Sequence, residues 1–163
     1  MRYSIVMVFA AIAVTSFAQT RHIAANKDWK PAEGKWTGTL TYLDYSSGKP
    51  FTMPAEVAMK LMQDKIILSY NYPKEPKANG NDTIFLSGDG LQINNADIVE
   101  RDVMEDGTIK LVTDKPGTDG NDHKPAMIRH YYYVGKNRFQ MRKDVRFDGT
   151  DTWVKRNEYL FSR

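Results

Sequence analysis

A histidine and a lysine on neighbouring predicted strands are the side chains best placed to do chemistry in this sequence. The segment 128–145 reads as two strands joined by Lys136-Asn137, a residue pair that suits a two-residue hairpin turn. In that register His130 lies opposite Lys143, on the face that also carries Tyr132 and several apolar side chains. This face is expected to point inward, so an imidazole and an ammonium would enter the interior together.

An inward ammonium needs a compensating partner, because burying an unpaired charge costs on the order of several kcal/mol. An anionic ligand would provide that partner. We therefore predict a ligand-binding site on inward rows of the strands, formed by His130, Lys143, Tyr132, Tyr42 and Tyr70. The alternative is that Lys143 extends to a rim and keeps its ammonium in water while His130 hydrogen-bonds a neighbouring strand.

Several kinds of catalytic and metal site are excluded or disfavoured by residue type and spacing. The chain has no cysteine, so thiol nucleophiles and cysteine metal ligands are excluded. The histidines His22, His123 and His130 lack the spacing of a zinc site, and the Asp-rich segment 114–122 lacks the order of a calcium-binding EF-hand loop. We predict no catalytic residue, no metal and no cofactor. The enzymatic alternative is an isomerase or cyclase that uses His130 with Lys143 or Glu158 as acid and base.

The distribution of apolar residues predicts an all-β fold. Short runs rich in Thr, Tyr, Val, Ile and Phe alternate with Gly, Asn, Asp and Pro clusters, and no window has sustained helical periodicity. Tight turns make adjacent strands antiparallel, and an antiparallel meander of about 8–10 strands closed into a barrel would protect its edges. We predict strands near residues 35–45, 51–62, 65–72, 82–87, 90–94, 97–104, 107–113, 126–135, 138–147 and 152–162.

Two features of this pattern stay open at the level of sequence. The last strand has an aromatic face, favoured as the inner one because aromatic rings bury the most area, and a second face that contains Arg156 and Glu158. The longer connections, loops 73–82 and 114–125, are predicted to lie at a rim, where they would contact a protein partner if there is one. The aromatic face consists of Trp153, Asn157, Tyr159 and Phe161.

The first residues have the pattern of a secretory signal peptide. Arg2 precedes the apolar run 5–17, and Ser16 and Ala18 are the small residues expected before a cleavage site. We divide the chain into a signal peptide (1–18), a lead-in segment (19–33) and a barrel domain (34–163). The protein is expected to be exported to the periplasm or the extracellular space. No cysteine follows the cleavage site, so no lipid anchor to a membrane is expected.

The charge of the chain argues against nucleic acid as a partner. The chain has 23 basic and 20 acidic residues, a formal net charge of +3, and the two signs are interspersed along it. Nucleic-acid binding would favour a concentrated basic face.

The start of the first strand, Gly34-Lys35-Trp36, and the terminal Arg163 resemble the calycin superfamily of lipocalin-like barrels. The likeness is strongest to small exported bacterial lipocalin-like domains of unassigned ligand. It implies that Trp36 packs at the closed end of the barrel and that a basic residue of the last strand lies across it. That residue would be Arg163, or Arg156 if the last strand is offset. The chain lacks the long first loop and the C-terminal helix of lipocalins proper.

The function expected from the sequence is binding, without catalysis, of a small molecule inside the barrel. The ligand would be apolar or amphipathic, with an anionic group to meet Lys143. The alternative is a structural or protein-interaction module of the cell envelope with a solid core. A minor alternative is haem binding through His130, because the strand pattern also resembles nitrobindin-like barrels.

Overall fold

The computed structural model describes residues 25–44 and 46–163. The predicted signal peptide and residues 19–24 lie outside these described residues. The predicted all-β meander is confirmed, since ten antiparallel strands form a nearly closed barrel. They are β1 (Gly34–Leu43), β2 (Pro50–Leu61), β3 (Lys65–Asn71), β4 (Gly80–Phe85), β5 (Gln92–Ile93), β6 (Ala96–Val103), β7 (Ile109–Asp119), β8 (Lys124–Val134), β9 (Arg138–Phe147) and β10 (Val154–Ser162).

The sheet follows the chain around the barrel, and the first and last strands lie side by side. The strand order is β4-β3-β2-β1-β10-β9-β8-β7-β6-β5. The remaining gap, between β4 and β5, is bridged by Leu86 and Ile93. Beside this bridge the Asn94 Oδ1 atom accepts the Phe85 N–H at 2.8 Å. We call this weakly closed edge the seam.

One end of the barrel is closed by the lead-in segment, which forms the helical turn α1 (Ala25–Asp28) and a 3₁₀ turn over Lys30–Ala32. Trp29 is fully buried, and its ring meets that of Tyr132 edge-on at 5.8 Å. Asp28, also fully buried, accepts two hydrogen bonds from the Arg101 guanidinium at 2.9 and 3.1 Å. The described part of this segment, residues 25–33, therefore packs onto the folded core. No helix among the described residues is long and apolar enough to cross a membrane.

The residues of the Gly-x-Trp motif meet the terminal arginine at this closed end. The Arg163 guanidinium lies 4.1 Å from the centroid of the Trp36 ring and donates to the Glu33 carbonyl at 2.8 Å. Trp36 Nε1 donates to the Ala32 carbonyl at 2.7 Å. Gly34 has a φ of 123°, and a Cβ there would lie 2.9 Å from the guanidinium. Glycine is therefore needed at this position for both backbone and steric reasons.

The predicted loop 114–125 is wrong for most of its length. Strand β7 continues to Asp119 and β8 begins at Lys124, so only residues 120–123 form the turn. The ribbon is stabilised across strands, since the Arg129 guanidinium donates to the two oxygens of Asp114 at 2.6 and 2.7 Å. This part of the β7–β8 hairpin is largely exposed, so its strands need no alternation of apolar and polar residues. Their polar composition is therefore typical of a loop and led to the wrong prediction.

The predicted loop 73–82 is also shorter than expected. Strand β4 begins at Gly80, and a short 3₁₀ turn covers Pro76–Ala78. Asp82 therefore belongs to a strand, where every second side chain points to the same face.

The aromatic face predicted for the last strand does point inward, with the exception of Trp153, which precedes β10. Tyr159 and Phe161 pair with Met141 and Phe139 of β9, but the register shifts between Lys155 and Asn157. A bulge of this kind moves the preceding residues to the opposite face. Trp153 consequently lies on the outer surface, where the Arg129 and Arg146 guanidinium groups cover its ring at 4.4 and 5.2 Å.

Candidate functional site

The hairpin of β8 and β9 has the register predicted from its two-residue turn. The Gly135 N–H donates to the Arg138 carbonyl at 2.9 Å, and His130 pairs with Lys143. Both side chains point to the barrel interior, where they border two neighbouring cavities.

The first, here called the inner cavity, has a volume of about 240 Å³. Its wall combines phenol, amide, imidazole, carboxylate and guanidinium groups with the apolar side chains of Ile84 and Met141. The polar groups belong to Tyr70, Asp82, Asn94, His130, Tyr132, Arg142, Asn157 and Tyr159. Three of the five predicted ligand-binding residues, Tyr70, His130 and Tyr132, therefore line one cavity.

The second cavity, here called the mouth pocket, has a volume of about 320 Å³. It is lined by Tyr42, Asp44, Asn121, Lys143, Arg156 and Asn157, among others. The two remaining predicted residues, Tyr42 and Lys143, thus lie here and not in the inner cavity. Asn157 borders both spaces and connects the two groups of residues.

The counter-charge that Lys143 requires comes from the protein itself. Lys143 Nζ lies 2.7 Å from one oxygen of Asp119, and Arg156 Nε lies 2.6 Å from the other. Burial by itself would raise the pKa of Asp119, but the two cations outweigh it and hold the pKa below its usual range. The expectation of an anionic ligand depended on an unpaired Lys143 ammonium. Because Asp119 pairs with this ammonium, the structure gives no such reason to expect an anion.

Sequence reasoning missed this cluster for two separate reasons. Asp119 falls in the segment interpreted as a loop, and Arg156 reaches the interior through the β10 bulge, next to the inward Asn157. Neither the extension of β7 to Asp119 nor the bulge in β10 has a local sequence signal. Arg156 lies in this cluster and not across Trp36, where the alternative register of the last strand would have placed it.

His130 is held in the neutral form by its surroundings. Burial lowers its pKa to about 4, with further lowering by Lys143 and then Lys115. Its ring stacks near that of Tyr132 at a centroid distance of 6.2 Å. At neutral pH the imidazole therefore offers the inner cavity one hydrogen-bond donor and one acceptor, without a positive charge.

The neutral state of His130 predicts a measurable pH dependence of stability. The unfolded chain binds the imidazole proton below about pH 6.5, whereas the folded protein resists it until about pH 4. Stability should therefore fall as the pH drops through this window, by up to about 3 kcal/mol attributable to His130. Urea denaturation of the wild type and of His130→Gln at pH 7, 5.5 and 4 measures this loss.

The His130→Gln variant should lose less stability than the wild type on acidification. His123 is exposed in the 120–123 turn, and His123→Gln should follow the wild-type profile. Parallel profiles for the wild type and His130→Gln would show that burial does not suppress protonation of this imidazole.

Three tyrosines join in a ring cluster at the wall of the inner cavity. The Tyr72 and Tyr159 hydroxyl oxygens are 2.8 Å apart, and the Tyr70 ring lies 5.9 Å from Tyr72 and 5.1 Å from Tyr159. Burial raises the pKa values of Tyr70, Tyr132 and Tyr159, and the charge of Asp82 contributes in each case. These phenols therefore remain protonated at neutral pH.

The polar residues Asp82, Asn94 and Asn157 were not among the predicted site residues. Asp82 could have been found, because it lies two residues from Ile84 on a strand and so shares its inward face. Asn94 lies in the turn between β5 and β6 with a φ of 53°. Only the closing of the barrel brings it near the cavity.

Comparison with known proteins supports the architecture and no finer assignment. No protein-family model matches the sequence, and no curated protein matches it. The crystal structure of Rv2717c from M. tuberculosis is similar with a TM-score of 0.54 and 10% sequence identity, over 87% of this chain and 98% of that chain. At this identity the similarity shows the fold alone, which is a nearly closed antiparallel β-barrel.

Proposed function

We propose that this protein binds a small, partly apolar molecule inside the barrel and that it does so without catalysing a reaction. The observation that carries the proposal is the inner cavity, about 240 Å³ of space lined by several hydrogen-bonding groups together with Met141 and Ile84. Ligand sites typically combine a concave apolar wall with a few placed polar groups. The volume corresponds to roughly eight water molecules, so the ligand is expected to be small.

The exported location and the calycin relationship form part of this proposal. The signal-peptide pattern at residues 1–18 supports export to the periplasm or the extracellular space. The arrangement of Gly34, Trp36 and Arg163 at the closed end supports a place among lipocalin-like domains. A carrier of a small molecule outside the cytoplasm is consistent with both.

The contrasting function, a solid interaction module acting through its rim, has less support. As predicted, it requires a filled interior and an exposed apolar patch near loops 73–82 and 114–125. The large hydrophobic side chains exposed among the described residues lie on other segments: Phe51, Met62, Phe85, Leu91, Val103, Met104 and Leu160. The inner cavity favours the binding proposal.

Haem does not fit the residues around His130. A haem ligand needs a broad apolar slot beside the imidazole, whereas the inner cavity is small and contains Asp82, Asn94 and Asn157. The tyrosine cluster occupies the neighbouring space. We therefore keep His130 as a hydrogen-bonding group of the cavity.

Acid–base catalysis by His130 with Lys143 is disfavoured by the surroundings of these two side chains. A general base works best when its pKa is near the operating pH, and that of His130 is about 4. The Lys143 ammonium is bound to Asp119. These two constraints support binding without catalysis by this pair of residues.

The proposal is tested by extracting the protein under denaturing conditions and identifying any released compound by mass spectrometry, followed by screening of small aromatic fragments by NMR. Met141→Trp should fill the inner cavity and abolish binding, whereas Leu160→Trp, on the exposed outer face, should preserve it. Thermal melts check that both variants fold. The proposal fails if no extracted compound and no fragment distinguishes the two variants.

A further inference from the structure

Asp82 is the acidic group in the wall of the inner cavity. It pairs with Leu68 of β3 and lies two residues before the buried Ile84 on the same row of β4, but its own side chain is exposed to solvent. One carboxylate oxygen accepts the Thr83 N–H at 2.7 Å. Among the residues that the structure describes, no lysine, arginine or histidine forms an ion pair with it.

The basic groups nearest the inner cavity are committed elsewhere. Arg142 borders it, but its guanidinium donates to both oxygens of Asp144 at 2.6 Å. Lys143 Nζ is bound to Asp119. Lys115 does not line the cavity, and its Nζ lies 3.4 Å from the Asn94 carbonyl. His130 is neutral, so among the described residues that line the inner cavity Asp82 carries the charge that no ion pair already meets.

The aromatic rings of the cavity wall also favour a positively charged ligand. Tyr70, Tyr132 and Tyr159 line the same space as Asp82, and the faces of aromatic rings attract cations. The influence of Asp82 on all three phenols indicates that its charge acts across the space they share. Aromatic faces with one carboxylate form a common recognition pattern for ammonium groups.

We propose that the ligand of the inner cavity carries a cationic amine, whose ammonium lies beside the Asp82 carboxylate and against the rings of Tyr70 and Tyr159. This inference rests on the proposed function and specifies its ligand class as a small amine with an apolar body. An anionic ligand would instead face the Asp82 carboxylate, and the cation that borders the cavity among the described residues, Arg142, is already paired with Asp144.

Three probes of nearly equal size separate charge from shape: 2-phenylethylamine, the neutral 2-phenylethanol and the anionic 3-phenylpropanoate. Their dissociation constants are measured by NMR titration at pH 7 and low salt. The amine should bind the wild type about tenfold more tightly than the alcohol, from one ion pair and its cation–π contacts. The propanoate should bind more weakly than the alcohol.

The matched variants are Asp82→Asn and Asp64→Asn. Asp82→Asn keeps an acceptor for the Thr83 N–H and should reduce amine affinity to that of the alcohol, without changing alcohol binding. Asp64 is exposed in the turn between β2 and β3, so Asp64→Asn removes the same charge away from the cavity and should preserve the tenfold preference.

The outcomes separate the ligand class from the function itself. Alcohol or propanoate binding as tight as amine binding would overturn the amine assignment while leaving a binding cavity, as would an amine preference that persists in Asp82→Asn. If none of the three probes binds, the amine assignment fails. The extraction and fragment experiments with Met141→Trp then decide whether the binding function fails with it.

Discussion

Replacing Asp119 by asparagine is expected to lower the free energy of unfolding at pH 7 by about 3 kcal/mol. The Asp119 side chain is only 3% exposed and forms ion pairs with both Lys143 and Arg156. Asparagine retains the shape of the side chain but leaves two adjacent cations without their shared anion. The value is at the lower end for breaking a buried ion pair, because Lys143 remains 26% exposed and partly solvated.

The effect of Asp119→Asn should also depend on pH. The pKa of Asp119 is lowered in the folded state, so its stabilising contribution is present above the unfolded value of about 3.9. It is lost as the pH falls through the folded value. Urea denaturation at pH 7 and at pH 3 measures this, and the difference between variant and wild type should shrink at the lower pH.

A matched control uses the exposed ion pair of the adjacent turn. Asp122 lies 2.8 Å from Lys124, and both side chains are largely exposed. Asp122→Asn should therefore leave stability unchanged within error. If Asp119→Asn is as stable as Asp122→Asn at pH 7, Asp119 is not the partner that compensates the inward cations.

Replacing Gly38 by alanine is expected to destabilise the barrel by more than about 3 kcal/mol, beyond the usual cost of overpacking. A Cβ atom at Gly38 would lie 1.9 Å from the Leu160 carbonyl oxygen and 2.9 Å from the Phe161 Cα. Both neighbours are backbone atoms, so no side chain can rotate away. The strands must separate where β1 meets β10, which is the pairing that joins the first and last strands of the chain.

Denaturation curves and amide hydrogen exchange together test this expectation. Gly38→Ala should lose protection first at the β1–β10 pairing, while the β7–β8 ribbon is affected only through global unfolding. Gly88→Ala is the control, because a Cβ at Gly88 meets no atom within 4 Å. A Gly38→Ala variant as stable as Gly88→Ala would refute the close approach of the two strands.

Local pattern was sufficient for much of the fold and for part of the site. The alternation in β8 and β9, together with the Lys136-Asn137 turn, correctly predicted that His130 faces Lys143. This worked because a two-residue turn leaves only one register, and a register determines which side chains share a face. The same reasoning failed for Trp153, since one bulge reversed the alternation ahead of it.

The sequence by itself determined the all-β class, the antiparallel meander and the inward direction of His130, Lys143, Tyr70 and Tyr132, because these follow from interactions between residues near one another in the chain. Only the tertiary structure decided that Asp119 neutralises Lys143 and that Asp82 borders the tyrosine-lined cavity. Asp119 lies 24 residues from Lys143 and 37 from Arg156. Contacts over such separations depend on how the closed barrel curves and where a strand bulges, and no short stretch of sequence encodes either property.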